Sequence, residues 1–65
     1  NFLKVLLNEE AECRFDTEIS NFVYEEGIEM PPSFGAEHYT SLGSEIYYIQ
    51  CKDQFDNLGS FTVIP

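Results

Sequence analysis

The sequence predicts an all-β fold, an antiparallel two-sheet sandwich, and three observations carry that expectation. Apolar and polar residues alternate along Ala11–Asp16 and again along Tyr47–Lys52, the period-two signature of half-buried strands. Turn-forming residues recur between the apolar segments. No stretch sustains the 3.6-residue period of an amphipathic helix. Five or six short strands separated by frequent turns fit an antiparallel sandwich better than any helical or α/β architecture.

In chain order, Phe2–Leu7 is rich in branched and aromatic residues and reads as a first strand. Asn8-Glu9-Glu10 is expected to be a tight connection to the next. In that strand Ala11, Cys13 and Phe15 share one face, and Glu12, Arg14 and Asp16 the other. The pattern loosens between Thr17 and Gly35, where Asn21–Tyr24 is expected to form a short edge strand. Met30-Pro31-Pro32-Ser33 fits neither a regular helix nor a central strand, because proline lacks the N–H that either would use. Glu37–Leu42 is a further strand, closed by Gly43. Tyr47, Ile49 and Cys51 then alternate with Tyr48, Gln50 and Lys52. Asp53–Gly59 has the Asp, Asn and Gly content of a hairpin loop, and Ser60–Ile64 is the last strand.

Size and charge narrow the function classes. Sixty-five residues make one domain, 1–65, with a core that alone gives marginal stability. Apolar residues at 43% and aromatics at 15% are too abundant for a disordered acidic tail. Twelve acidic against three basic residues give a formal charge of −9. Nucleic acid and anionic membranes are bound through lysine and arginine, and only Lys4, Arg14 and Lys52 are present. No nucleic-acid partner and no membrane insertion are therefore expected. The opening Phe2–Leu7 falls well short of the roughly 20 residues that span a bilayer. It also carries Lys4 and lacks the features of a signal peptide, so for an exported module the signal is expected either to lie upstream or to have been removed already.

Cys13 and Cys51 have neither metal-ligand spacing nor the CxxC redox arrangement. Three readings stand: a structural disulfide, two free buried thiols, or a reactive thiol. Both cysteines fall on the apolar faces of the two clearest strands, which favours the disulfide. Closing a loop of that length stabilises a fold by roughly 3–4 kcal/mol in the chain-entropy treatment. Such a bond persists in an oxidising compartment.

The segment Ser41-Leu42-Gly43-Ser44-Glu45-Ile46-Tyr47-Tyr48-Ile49-Gln50-Cys51-Lys52-Asp53 resembles a stretch of fibronectin type III domains. There a leucine, a short turn and an alternating Tyr-x-apolar-x-apolar strand precede an Asp-led turn. The resemblance implies that Leu42 and Tyr47 form a tyrosine corner, with the hydroxyl bonding backbone near the turn. Asp53 and Asn57 resemble the Asp-x-x-Gly-Asn turn of that family, with Asp56 in the place of glycine, which implies a somewhat longer loop. Glu10–Phe15, Met30, Phe34, His38 and the Tyr-Tyr-x-x-Cys segment extend the likeness to a cysteine-paired subgroup of fibronectin type III or immunoglobulin-like modules. These are found as repeats in large prokaryotic surface proteins. The resemblance implies an extracellular or cell-surface module that builds stalks or fibres or mediates adhesion, partnered by neighbouring copies or domains of its own protein. Such sandwiches usually have about 80–100 residues and a strand ahead of Phe2–Leu7. Here that strand is lacking: either the chain is an excerpt of a longer protein, or a neighbour supplies the strand by β-augmentation.

The remaining residues carry weaker signals. His38 shares a face with Thr40 and Leu42 and reads as a hydrogen-bonded, semi-buried structural histidine. A triad with Cys51 would need an exposed, electropositive thiolate, which this composition does not favour, so no catalytic residue, enzymatic activity or cofactor is expected. Asp53, Asp56 and Asn57 offer oxygen ligands for calcium, but without EF-hand spacing they read as turn formers, and no metal site is assigned. Tyr24, Tyr39 and Tyr48 are candidate exposed ligand contacts. Carbohydrate stacked on them is the alternative partner.

Overall fold

A computed structural model describes residues 1–64, and the expected all-β antiparallel fold is what it displays. Five strands, β1 (Phe2–Asp16), β2 (Ile28–Glu29), β3 (Gly35–Ser41), β4 (Tyr47–Asp53) and β5 (Leu58–Val63), join into one antiparallel sheet. Among the described residues one 3₁₀ turn, Tyr24–Glu26, interrupts the long connection from β1 to β2. The strand order is β2-β1-β4-β5, and β3 lies beside β1 on the same edge as β2.

The first correction concerns Asn8-Glu9-Glu10. These residues do not turn, and β1 runs through them for fifteen residues. They contain no glycine, proline or positive-φ residue, so nothing in their backbone enforces reversal. The change of partner is made by irregular pairing instead. Between the pairs Leu6–Glu37 and Ala11–Gly35, β1 advances five residues while its neighbour advances two. Between Ala11–Gly35 and Arg14–Glu29 the imbalance reverses, three against six. Two compensating bulges thus restore the register, and the surplus on the second side is the proline segment Pro31–Phe34. Bulges bend a strand and raise its twist.

Odd-numbered residues of β1 and β4 build the core, as their alternation predicts. Val5, Ala11, Cys13, Phe15, Met30, Tyr47, Ile49 and Cys51 form one buried cluster, with Leu3, Leu7 and Val63 packed against it. The rings of Phe15 and Tyr47 meet at 5.6 Å between centroids. The opposite face of β1 and β4 is covered by the connection ahead of β2. There the expected edge strand at Asn21–Tyr24 is not formed. Phe22 and Tyr24 are buried as an alternating strand would bury them. Their backbone, however, lies over the sheet, where Gln50 Nε2 donates to the Phe22 carbonyl at 2.6 Å. Gly27 is required by this packing, since a Cβ there would sit 2.5 Å from the Phe22 ring.

Candidate functional site

Cys13 and Cys51 are direct cross-strand partners in β1 and β4, with Cα atoms 4.0 Å apart, and they form a disulfide. Cys13 is fully buried and Cys51 nearly so. The Cys13 carbonyl accepts from Met30 N–H at 3.0 Å, on the side away from β4. Asp53 N–H donates to Asn57 O, on the side away from β1. Both bonds identify Cys13–Cys51 as a non-hydrogen-bonded pair, the class in which facing side chains approach most closely. The bridge therefore joins neighbours within one sheet.

His38 lies where the two bulges meet. It is the fully buried residue opposite Val5, more deeply placed than the semi-buried position expected from sequence. Nδ1 lies 2.9 Å from the Met30 carbonyl; Nε2 lies 2.8 Å from that of Ala11 and 2.9 Å from that of Gly35. Those three carbonyls belong to the residues at which the ladder loses register. A ring N–H stands in for a donor that the bulges remove, which buried carbonyls require; a neutral imidazole has one to give and an imidazolium two. His38 is thus a structural residue, unavailable to assist a nucleophile.

Tyr47 opens β4 with its ring in the core and its hydroxyl at the far end of β3. The hydroxyl donates to Ser41 O at 2.9 Å and accepts from Gly43 N–H at 2.6 Å. Leu42, between those two residues, is 37% exposed, so it borders the corner without entering the core.

The three candidate ligand-contact tyrosines do not form one surface. Tyr24 is corrected outright, being 6% exposed. Its ring lies between Lys52 Nζ, 4.6 Å from the centroid, and the Arg14 guanidinium at 5.1 Å. Its hydroxyl donates to the Glu12 carboxylate at 2.7 Å. Burial first, then that carboxylate, push the phenol above its ordinary value. The sequence placed Tyr24 outside because the groups over its ring, Arg14 and Lys52, are charged residues that pack there through their cationic ends. Tyr48 is half-buried on β4, opposite Asp16 and Thr62. Tyr39 is half-buried on β3 and donates to Glu37 at 2.6 Å, which holds that carboxyl below its usual range. Gln50 is a residue that sequence reasoning misplaced. Alternation puts it on a solvent face, yet it is 8% exposed because the connection folds over it.

The β4–β5 hairpin turns on Asp53. Its Oδ1 accepts from Phe55 N–H at 2.8 Å and Asn57 N–H at 2.9 Å, and its Oδ2 from the Asn57 amide at 3.1 Å. Asp56, at φ 65°, adopts the left-handed conformation that glycine accepts most easily. The loop thus closes with no extra residue between Asp53 and Asn57. The carboxylate serves the turn, and no group of three His, Cys, Asp or Glu among the described residues is arranged to hold a metal ion.

The Asn57 N–H, then its side-chain amide, hold Asp53 below the ordinary aspartate range. A depressed folded-state value contributes stability in full above the unfolded value, about 4, and loses it as pH falls through the lower folded value. Asp16 acts likewise through the N–H groups of Glu18 and Ile19. Asp53→Asn is therefore expected to flatten the fall in Tm below about pH 4. Thermal melts of both proteins across the acid range, running parallel, would remove Asp53 from the account.

What these elements provide is a cross-linked scaffold in which both sulfurs and His38 are engaged internally, while Glu9, Glu10, Glu18, Glu26 and Glu29 stand exposed. Among the described residues no helix is long and apolar enough to cross a membrane. A scan against protein-family models and searches of curated proteins and of solved structures returned no match to the chain.

Proposed function

We infer that this chain is a non-catalytic structural or adhesive module of an extracellular or cell-surface protein, a fibronectin type III-like β-sandwich that assembles with neighbouring copies or domains through its strands. The observation that carries the reading is the buried Cys13–Cys51 bridge between central strands. A bond of this kind persists in oxidising compartments, and small domains there depend on it.

Two-layer packing is supported by Tyr47. Its hydroxyl bonds Ser41 although β3 and β4 are not neighbours in the sheet. The ribbon of β3 with Phe2–Leu6 thus folds back over β4 around a shared core. One feature departs from antibody-type domains. Their disulfide spans two facing sheets, whereas this one joins adjacent strands. A thiol-enzyme reading loses its parts, since Cys51 is oxidised and His38 is engaged by three carbonyls. The carbohydrate reading loses Tyr24 to burial and retains Tyr39 and Tyr48.

Sedimentation velocity of the disulfide-bonded chain over a wide concentration range is expected to reveal reversible self-association, with no binding on a glycan array. Glycan binding abolished by Tyr48→Ala would replace this reading with the carbohydrate one. A monomer at every concentration would remove assembly.

A further inference from the structure

The sheet has one edge that is open, regularly paired and uncharged. β5 pairs with β4 through six consecutive residues without a bulge, and no other described strand lies beyond it. Its sequence, Leu58-Gly59-Ser60-Phe61-Thr62-Val63, contains no charge and no proline. The other edges are guarded as soluble proteins guard theirs. β2 is two residues long and includes Glu29, β3 carries Glu37 and has its Tyr39 N–H bonded to Pro31 O, and the opening of β1 carries Lys4.

The backbone polarity of β5 follows from the disulfide. Cys13–Cys51 is a non-hydrogen-bonded pair, so the Cys51 backbone groups point toward β5 and exchange bonds with Gly59. Alternation then directs the N–H and C=O groups of Leu58, Ser60 and Thr62 outward, away from β4. Beside them, on the core side, the surface is recessed. A Cβ built on Gly59 meets nothing within 4 Å. The adjoining cleft, about 380 Å³, has Leu7, Ala11, Cys51 and Phe61 among its walls, with Glu9 and Asp53 also lining it. Phe61, two residues from Gly59 on the same face, is 39% exposed.

We propose that β5 is a homotypic docking edge, pairing antiparallel with β5 of a second copy about a two-fold axis at Ser60. The inference rests on the assembly reading above and names its surface. In this register Ser60 faces Ser60 and Leu58 faces Thr62, so the outward groups of all three residues exchange bonds. Gly59 of each copy faces Phe61 of the other, and each ring covers the glycine and enters the recess beside it, an arrangement that offsets the weakness of a glycine in a strand. Charge selects the same geometry. Two chains of −9 repel, and β5 is where they can meet without placing carboxylates opposite one another. The antiparallel arrangement sends the loops bearing Asp53 and Asp56 to opposite ends, while a parallel one would set them side by side. Added salt screens the residual repulsion, so this association strengthens with ionic strength.

Sedimentation equilibrium at low and high salt tests the proposal on three proteins: the wild type, Gly59→Val and Ser60→Pro. Gly59→Val fills the recess at a position where the fold leaves space and the strand accepts a branched residue. Ser60→Pro removes an outward N–H while sparing the bonds to β4. Circular dichroism and a non-reducing mass certify each fold, and Ser60→Asp replaces the proline variant should that one not fold. The expected result is a wild-type dimer that tightens with salt and a Kd raised about tenfold or more in either variant, through the blocked recess in one and the lost inter-strand hydrogen bonds in the other. A wild-type dimer unchanged by both variants overturns the β5 edge and leaves assembly standing. A wild type that stays monomeric at the highest concentration and salt overturns both.

Discussion

Replacing His38 with alanine is expected to lower stability by about 3–5 kcal/mol, enough to leave much of the protein unfolded at room temperature. The imidazole is fully buried, with Nδ1 facing the Met30 carbonyl and Nε2 those of Ala11 and Gly35. A buried acceptor stripped of its donor costs about 1–3 kcal/mol, and a neutral ring with its N–H on Nε2 serves two of them, Ala11 and Gly35. Water entering the vacated space recovers part of that, which sets the upper bound below a simple sum. A 65-residue domain has a total stability of roughly 3–10 kcal/mol, so the change is a large share of it. His38→Phe separates volume from hydrogen bonding, because it fills the site and satisfies no carbonyl. Urea titrations are expected to rank wild type well above both variants, with phenylalanine no better than about 1 kcal/mol above alanine. Phenylalanine restoring wild-type stability would mean that His38 only fills space.

The two bulges around His38 are one of the places where sequence reading stopped. β4 and the second half of β1 were legible because a sheet with one buried face imposes alternation, and Ala11, Cys13, Phe15, Tyr47, Ile49 and Cys51 obey it. The continuity of β1 through Asn8-Glu9-Glu10 was not legible. A polar triplet between apolar runs looks the same whether it turns or bulges, and the decision lies in the partner strand. His38 was recognised as structural, but its depth depends on carbonyls at positions 11, 30 and 35, which sequence spacing does not bring together. Tyr24 and Gln50 were misplaced for one reason. The connection from Thr17 to Gly27 folds over a face that period-two logic assigns to solvent. Alternation reports which residues share a face and is silent on what covers it.

Reducing the Cys13–Cys51 bond is expected to remove about 4 kcal/mol, and the double variant Cys13→Ala/Cys51→Ala more than that. The two interventions act on different states. Reduction leaves both sulfurs in place between β1 and β4, so the folded packing changes little and the loss comes from the unfolded chain, freed from a loop closed across 38 positions. Alanine substitution adds a packing defect in a cluster that includes Phe15, Met30 and Ile49. Stability in urea is therefore expected to fall in the order oxidised, reduced, double alanine. The m-value is expected to rise on reduction, because an unlinked chain exposes more surface when it unfolds. Burial adds a kinetic consequence. Cys13 is fully covered and Cys51 8% exposed, so a reductant reaches the bond mainly through opening of the structure. Reduction is then expected to accelerate steeply as urea approaches the unfolding midpoint, and a rate independent of urea would place the sulfurs within reach of solvent in the folded state.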